Sequence, residues 1–456
     1  MASSNTKTRT FETQSGPVIA DVQSDLTRAR AIPFGQAKRF AKPGKPTPWT
    51  EPRDCTKLGP VSPQIKFRLE FVLGERASDR EFSEDCLSLT VITPTDSTQQ
   101  SKLPVIVWYH GGANIAGGAD IDILDTSDLA RRGAVLVNVQ YRLSIFGCLE
   151  VDGLIPPNLH VLDQIQALQW VHDNISNFGG DPELVTIMGQ SAGGCAVYNI
   201  IMAEGTEHLY QRAILQSAPL GIISRSGKDA KINAERAREL LGGTSESAAS
   251  KTTAEMTEIL ETLIDEQRAR GGGLGFWASW GKHPLPEPSQ IPSRIAELAP
   301  KKDLFLGWTA DDSLPFIQLS GGLPSRVASI PLIGGYALNT ISKYVTNFVF
   351  KQPTLEFHAQ WQKHGGKSTA FRFDWFPAGS ALRACHCIDL VFLFADWSVW
   401  SRAPLAQGPG SQAIVERLAP HVKDTFVHFA KSGLPTGELI VIDERFSSKP
   451  WVGGKD

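Results

Sequence analysis

Along the middle of the chain, short unbroken apolar runs alternate with longer segments whose apolar residues recur every three or four positions, the pattern of buried strands exchanged with amphipathic helices. Val105-Ile106-Val107-Trp108-Tyr109 reads as a buried strand running straight into His110-Gly111-Gly112-Ala113, and Ala134 to Gln140 reads as another. Val161, Leu162, Ile165, Leu168, Val171 and Ile175 share one helical face, and Gly179-Gly180-Asp181-Pro182 breaks that helix. Leu184 to Met188 is a third strand, followed at once by Gly189-Gln190-Ser191-Ala192-Gly193-Gly194 and a helical stretch to about Met202. Ala213 to Leu215 and Leu304 to Leu306 add strands. Lys228 to Arg270 is charged, Ala-rich and helical in pattern. Gly271-Gly272-Gly273 and His283 to Pro292 read as loops, and a last helix is expected from about Pro420 to Lys431, stopped by Gly433 and Pro435. The alternation predicts an α/β architecture, with a mostly parallel sheet between helices.

Composition narrows the function classes. The 456 residues are 41% hydrophobic and 20% charged, enough apolar material for a large core. The formal charge of −3 has no basic excess, so nucleic acid is not an expected partner. Met1-Ala2-Ser3-Ser4-Asn5 opens no apolar leader and no run of about 18 apolar residues occurs, which predicts a cytoplasmic protein without a membrane partner. Six cysteines without a CxxC spacing are expected to be reduced thiols.

The chemistry concentrates at Gly189-Gln190-Ser191-Ala192-Gly193. This is the G-x-S-x-G pattern, in which a sharp strand-to-helix turn projects a serine hydroxyl above a sheet. Serine is a weak nucleophile at neutral pH and needs a base, a group to orient the base, and donors for an oxyanion. The loop His110-Gly111-Gly112-Ala113, after an upstream strand, is placed to supply donors.

With these segments in hand, the chain resembles the type B carboxylesterases, the family of the cholinesterases and para-nitrobenzyl esterases. The resemblance is carried by Glu84-Asp85-Cys86-Leu87-Ser88-Leu89, Trp108 to Gly112, Tyr141-Arg142-Leu143, Asp163-Gln164, Phe178 to Pro182 and Gly189 to Gly194. It is dense from about Phe11 to Leu220, thins, and returns around Leu304 to Asp312 and Phe371 to Phe394. It implies an α/β-hydrolase fold over 1–456 as a single domain, with a helical, loop-rich insertion at about 221–300. It further implies Ser191 as nucleophile, oxyanion donors at Gly112, Ala113 and Ala192, and His386, in Ala384-Cys385-His386-Cys387, as base. Alignment on Gly307 puts Asp312 where the family usually has Glu, with Asp311 as competitor for the acid. Gln190 and Ser217 are expected beside the triad. Arg39 with Glu84, and Arg142 with Asp163, are implied as loop-holding ion pairs.

Three departures carry information. Gln190 stands where the family has Glu, which removes a negative charge and disfavours choline esters. Gly59-Pro60-Val61-Ser62-Pro63-Gln64 lacks the cysteine that bridges to Cys86 in secreted relatives. Ala113 replaces the last glycine of the oxyanion loop, followed by Asn114 where an aromatic is common. Cys385-His386-Cys387 cannot supply four tetrahedral ligands from three adjacent residues, so zinc is not expected, and the implied triad chemistry requires neither metal nor organic cofactor. Phe276, Trp277 and Trp280 are candidates to line an acyl or alcohol pocket. The expected activity is hydrolysis of uncharged or weakly acidic esters of small or aromatic alcohols, by a monomer or homodimer. A transacylase, lactonase or cyclase using the same triad, and an inactive binding protein of the same family, remain open at this point.

Overall fold

Apolar runs of five to seven residues, too short for buried helices, supply the centre of the sheet. In the computed structural model, residues 7–65, 69–74, 80–223, 227–270, 275–319 and 334–450 are described. Their strands, in chain order, are β1 (Lys7–Phe11), β2 (Val18–Gln23), β3 (Leu26–Pro33), β4 (Arg53–Asp54), β5 (Ser88–Pro94), β6 (Leu103–Tyr109) and β7 (Val135–Val139). Then follow β8 (Gly180–Gln190), β9 (Arg212–Gln216), β10 (Asp303–Thr309), β11 (Lys367–Phe373), β12 (Glu438–Ile442) and β13 (Ser447–Pro450). Among the described residues these thirteen strands form one sheet, ordered β1-β2-β3-β5-β7-β6-β8-β9-β10-β11-β12-β13, with β4 beside β2. The pairings from β7 through β12 are all parallel, and antiparallel strands flank them on both sides.

The parallel strands are buried on both faces, which is why they read as continuous apolar runs instead of alternating ones. Val105, Val107 and Tyr109 of β6 join one core cluster, while Ile106 and Trp108 join another on the opposite face. Helices α1 (Leu159–Asn174) and α2 (Ala192–Met202) cover the first face with Leu168, Val171, Val197 and Ile200. On the second face lies the C-terminal helix, through Val422 and Phe426. The charged middle region forms α3 (Gly227–Leu240) and α4 (Thr253–Ala269), the latter started by a reciprocal capping box between Thr252 and Glu255.

Two expected boundaries are corrected. The loop expected to run to Pro292 turns helical at Pro288, continuing into α5 (Ile291–Leu298), because proline is tolerated in a first helical turn, where its missing N–H has no partner to lose. Further on come α6 (Gly334–Thr346), a π-helical turn (Asn347–Lys351) and α7 (Gln352–Lys363). The last helix, α8 (Ser411–Ser432), starts nine residues before Pro420 and contains it. Pro420 faces solvent, where water can take the carbonyl its ring leaves unpaired. The Gly271-Gly272-Gly273 loop and the Met1 to Asn5 segment lie outside the described residues. No described helix is long and apolar enough to cross a membrane.

Candidate active site

Parallel strands deliver their carboxyl ends to one edge of the sheet, and the expected residues follow those ends. Gln190 at the end of β8 is in register with Gln216 at the end of β9; the Ser191 N–H then donates to the Gln216 carbonyl (2.9 Å) and the Ser217 N–H to the Gly307 carbonyl (2.8 Å). Ser191 is forced to φ 58°, ψ −124°, a conformation costly for a residue with a side chain, and α2 begins immediately after it. Such a turn is possible because β6 and α2 nearly touch: a Cβ at Gly193 would lie 2.0 Å from the Tyr109 carbonyl oxygen.

His386 and Asp312 form a buried pair. The His386 Nδ1–H donates to Asp312 Oδ1 at 2.7 Å, and Asp312 Oδ2 accepts from the Ser217 hydroxyl and the Thr309 N–H, each at 2.9 Å. With the proton on Nδ1, Nε2 presents a lone pair, which accepts from the Gln190 amide at 3.2 Å; the same amide also donates to Cys387 Sγ (3.4 Å). Asp311 is turned away, ion-paired to Arg383 at 3.3 Å. Phe316 and Phe350 pack against the imidazole, at 4.9 and 5.4 Å between ring centroids.

The loop expected to supply the oxyanion donors is held from behind. His110 stacks on Tyr141 (4.5 Å), whose hydroxyl donates to the His110 carbonyl (2.6 Å), and burial lowers the imidazole to about 4, so it stays neutral. Gln64 exchanges two hydrogen bonds with the Gly117 backbone, at 2.8 and 2.9 Å. Gly112 sits at φ +118°, and Ala113 and Asn114 both take positive φ, of 56° and 58°. Among the described residues the N–H groups of Gly112, Ala113 and Ala192 have no hydrogen-bond acceptor.

Ser191, His386, Gly112 and Ala113 line one cavity of about 290 Å³. Its walls are apolar, from Leu69, Ile121, Leu124, Ile222, Val349 and Leu390 among others, and no Asp, Glu, Lys or Arg of the described residues lines it. Of the three aromatic candidates, Trp277 lines this cavity; Phe276 is core, and Trp280 faces a separate groove. Gln64, Gln216 and Asp389 were not anticipated at the site. The signal for Asp389 was present, as an acid in the apolar run Cys387 to Phe394 three residues past His386. Its Oδ2 accepts from Gln216 Nε2 at 2.6 Å, and burial, reinforced by Asp312, pushes it up to about 7.

The surrounding polar residues hold loops. Arg142 and Asp163 form a fully buried bidentate pair (2.8 and 2.6 Å), and Arg39 clasps Glu84 with two nitrogens. All six cysteines are free and buried. Burial pushes the Cys385 and Cys387 thiols up, away from the reactive thiolate form. No group of three metal-ligating side chains is found among the described residues.

A family model described as the carboxylesterase family matches residues 18–324, and the chain belongs to that family. It is 34% identical over 394 residues to a Rhodococcus erythropolis protein named "Probable N-octanoylanthranilate hydrolase", covering 84% of each chain. To the para-nitrobenzyl esterase of Bacillus subtilis it is 29% identical over 457 residues, covering 94% of this chain and 91% of that one. A solved thermophilic PNB esterase superposes with a TM-score of 0.82 at 27% identity, over 97% of both chains. The protein has the α/β-hydrolase fold and is a carboxylic ester hydrolase.

Proposed function

We propose that the enzyme works through an acyl-enzyme on Ser191, with His386 as base, Asp312 fixing the imidazole, and the N–H groups of Gly112, Ala113 and Ala192 holding the oxyanion. The observation that carries this reading is the His386–Asp312 hydrogen bond: with Nδ1 donating to Asp312, Nε2 is the basic nitrogen on the cavity that Ser191 lines, and the Gln190 amide that donates to it gives way to the Ser191 hydroxyl. Nε2 removes the Ser191 proton as the hydroxyl oxygen bonds to the ester carbonyl carbon. The imidazolium then protonates the leaving alcohol as the carbon–oxygen bond breaks. Water repeats the cycle, its oxygen attacking the acyl-enzyme, and the acid leaves with Ser191 restored.

The walls favour uncharged or weakly acidic esters with small, aromatic or alkyl parts, because a cation would enter without a counter-charge. Gln190 supplies an amide where a carboxylate would have attracted one. An alkyl chain joined to an aromatic acid, as in the name of the Rhodococcus relative, is compatible with those apolar and aromatic walls.

A fluorophosphonate probe tests the reading without knowledge of the substrate. Wild type is expected to be labelled, and Ser191→Ala to lose the label while keeping its melting temperature within a few degrees. An unlabelled, folded wild type would overturn the proposal.

A further inference from the structure

Beside the reaction cavity runs a second, larger space of about 850 Å³, lined by Tyr198, Leu220, Trp280 and Ile291 and by charged side chains, Lys231, Glu235 and Arg238 of α3 with Glu150, Asp152 and Lys282. Among the described residues, Trp277 is the one side chain that lines both spaces. Its indole is 7% exposed and packs into the core cluster under α2. The segment carrying it is fastened at both ends. Asn114 of the oxyanion loop donates to the Phe276 carbonyl at 2.9 Å. Asn158, just before α1, accepts from the Ser279 N–H (2.7 Å) and donates to the Ser279 carbonyl (2.9 Å). Trp277 therefore sits on a braced strip of backbone, as a wall and not as a loose flap.

We propose that Trp277 is a specificity-determining residue that closes one arm of the reaction cavity and so limits the length of the acyl chain the enzyme accepts, with the groove behind it able to receive a longer chain once the indole is removed. The inference rests on Ser191 being the nucleophile. Its physical basis is the two environments the ring separates. On the cavity side the lining includes Pro219 and Ile222; on the groove side it includes Leu220, Ala278 and Trp280, apolar surface that continues past the ring among charged side chains. A linear acyl chain can cross such a partition while leaving the ester at Ser191. Asn114, the departure from the aromatic common at that position, joins the wall to the oxyanion loop by one hydrogen bond, so wall and donors are built as one unit.

The experiment is kcat/KM for para-nitrophenyl esters from acetate to palmitate, with wild type, Trp277→Ala and the milder Trp277→Leu. Each buried methylene contributes about fourfold in kcat/KM, equivalent to about 0.8 kcal/mol. In wild type this rise is expected to stop at the length where the chain meets the indole; in the variants it continues for several further carbons, more for Ala than for Leu. A third variant, Ala234→Trp, fills the groove from α3. Added to Trp277→Ala it should return the optimum toward the wild-type length, and alone it should leave the wild-type profile unmoved. Profiles that superimpose on wild type, or an extension that survives Ala234→Trp, would overturn the proposal. Fluorophosphonate labelling separates the two readings: labelled variants with an unchanged length profile refute the wall, whereas an unlabelled wild type refutes the nucleophile.

Discussion

Asp389 is a buried carboxyl that the proposed reaction does not consume. Burial is the main force raising it to about 7, Asp312 adds to the rise, and His386 and Gln216 oppose it without cancelling it. Its Oδ1 is buried without a hydrogen-bond partner among the described residues. Because the folded state holds this proton to higher pH than the unfolded chain, whose aspartate titrates near 3.8, the native state binds more protons between about pH 4 and 7. Stability contributed by this group is therefore complete below about pH 4 and lost as pH rises through about 7. Asp389→Asn keeps the shape and cannot ionise. It is expected to be more stable than wild type at pH 8, by on the order of a few kcal/mol, with the gap closing toward pH 4. Urea unfolding at a series of pH values measures this; a gap that does not change with pH would show that the carboxyl ionises at the same pH in the folded and unfolded states. The acid partner of His386 was legible at this scale because alignment on Gly307 placed it. Choosing Asp312 over Asp311 by geometry needed Arg383, which draws Asp311 away from the imidazole and lies far along the chain.

The elbow between β8 and α2 shows what an element can announce in advance. An apolar run, G-x-S-x-G and a helical stretch name a strand, a turn and a helix because each local preference agrees with the next. The distance of closest approach is not local. Gly193 matters because a Cβ there would meet the Tyr109 carbonyl at 2.0 Å and the His110 carbonyl at 2.8 Å, both backbone atoms leading into the oxyanion loop. Gly193→Ala is expected to push that loop outward, costing roughly 10²–10³ in kcat, the worth of one oxyanion donor, along with about 1–3 kcal/mol of stability. Steady-state kinetics with a thermal melt would check it; near-normal turnover would mean that the loop yields without losing its donors. Prolines misled at the same scale. Pro288, Pro292 and Pro420 read as loop or boundary, but two fall in first helical turns and the third faces solvent, the settings in which a missing N–H costs least.

At the scale of the whole molecule, the sheet brings the ends of β6, β8, β9 and β10 to one place, and buried ion pairs hold the loops that leave it. Arg142 joins the segment after β7 to Asp163 on α1, and its Nη1 also reaches the Ala41 carbonyl at 2.8 Å. Removing Asp163 alone strands a buried guanidinium, so Asp163→Ala is expected to cost about 3–5 kcal/mol, whereas Arg142→Met with Asp163→Leu should cost less than either single change. Denaturant melts of the three variants test the order; a double variant worse than both singles would make the pair a net stabiliser. The parallel core and the family's pairs were legible because they rest on apolar runs and on short motifs. The cavity walls were not, because they come from irregular segments where Trp277 reaches both spaces and Trp280, three residues on, reaches only the groove. One such wall, Val349 and Phe350, lies within the π-helical turn, whose extra residue sets the phase of the helix beyond it. A helix rotates by about 100° per residue, so the loss of a single codon within residues 347–351 would swing Phe350 and the start of α7 around the axis while leaving the sequences at Ser191 and His386 untouched. In heredity, then, this enzyme has a place where one deletion would recast a substrate wall and the packing around His386 together.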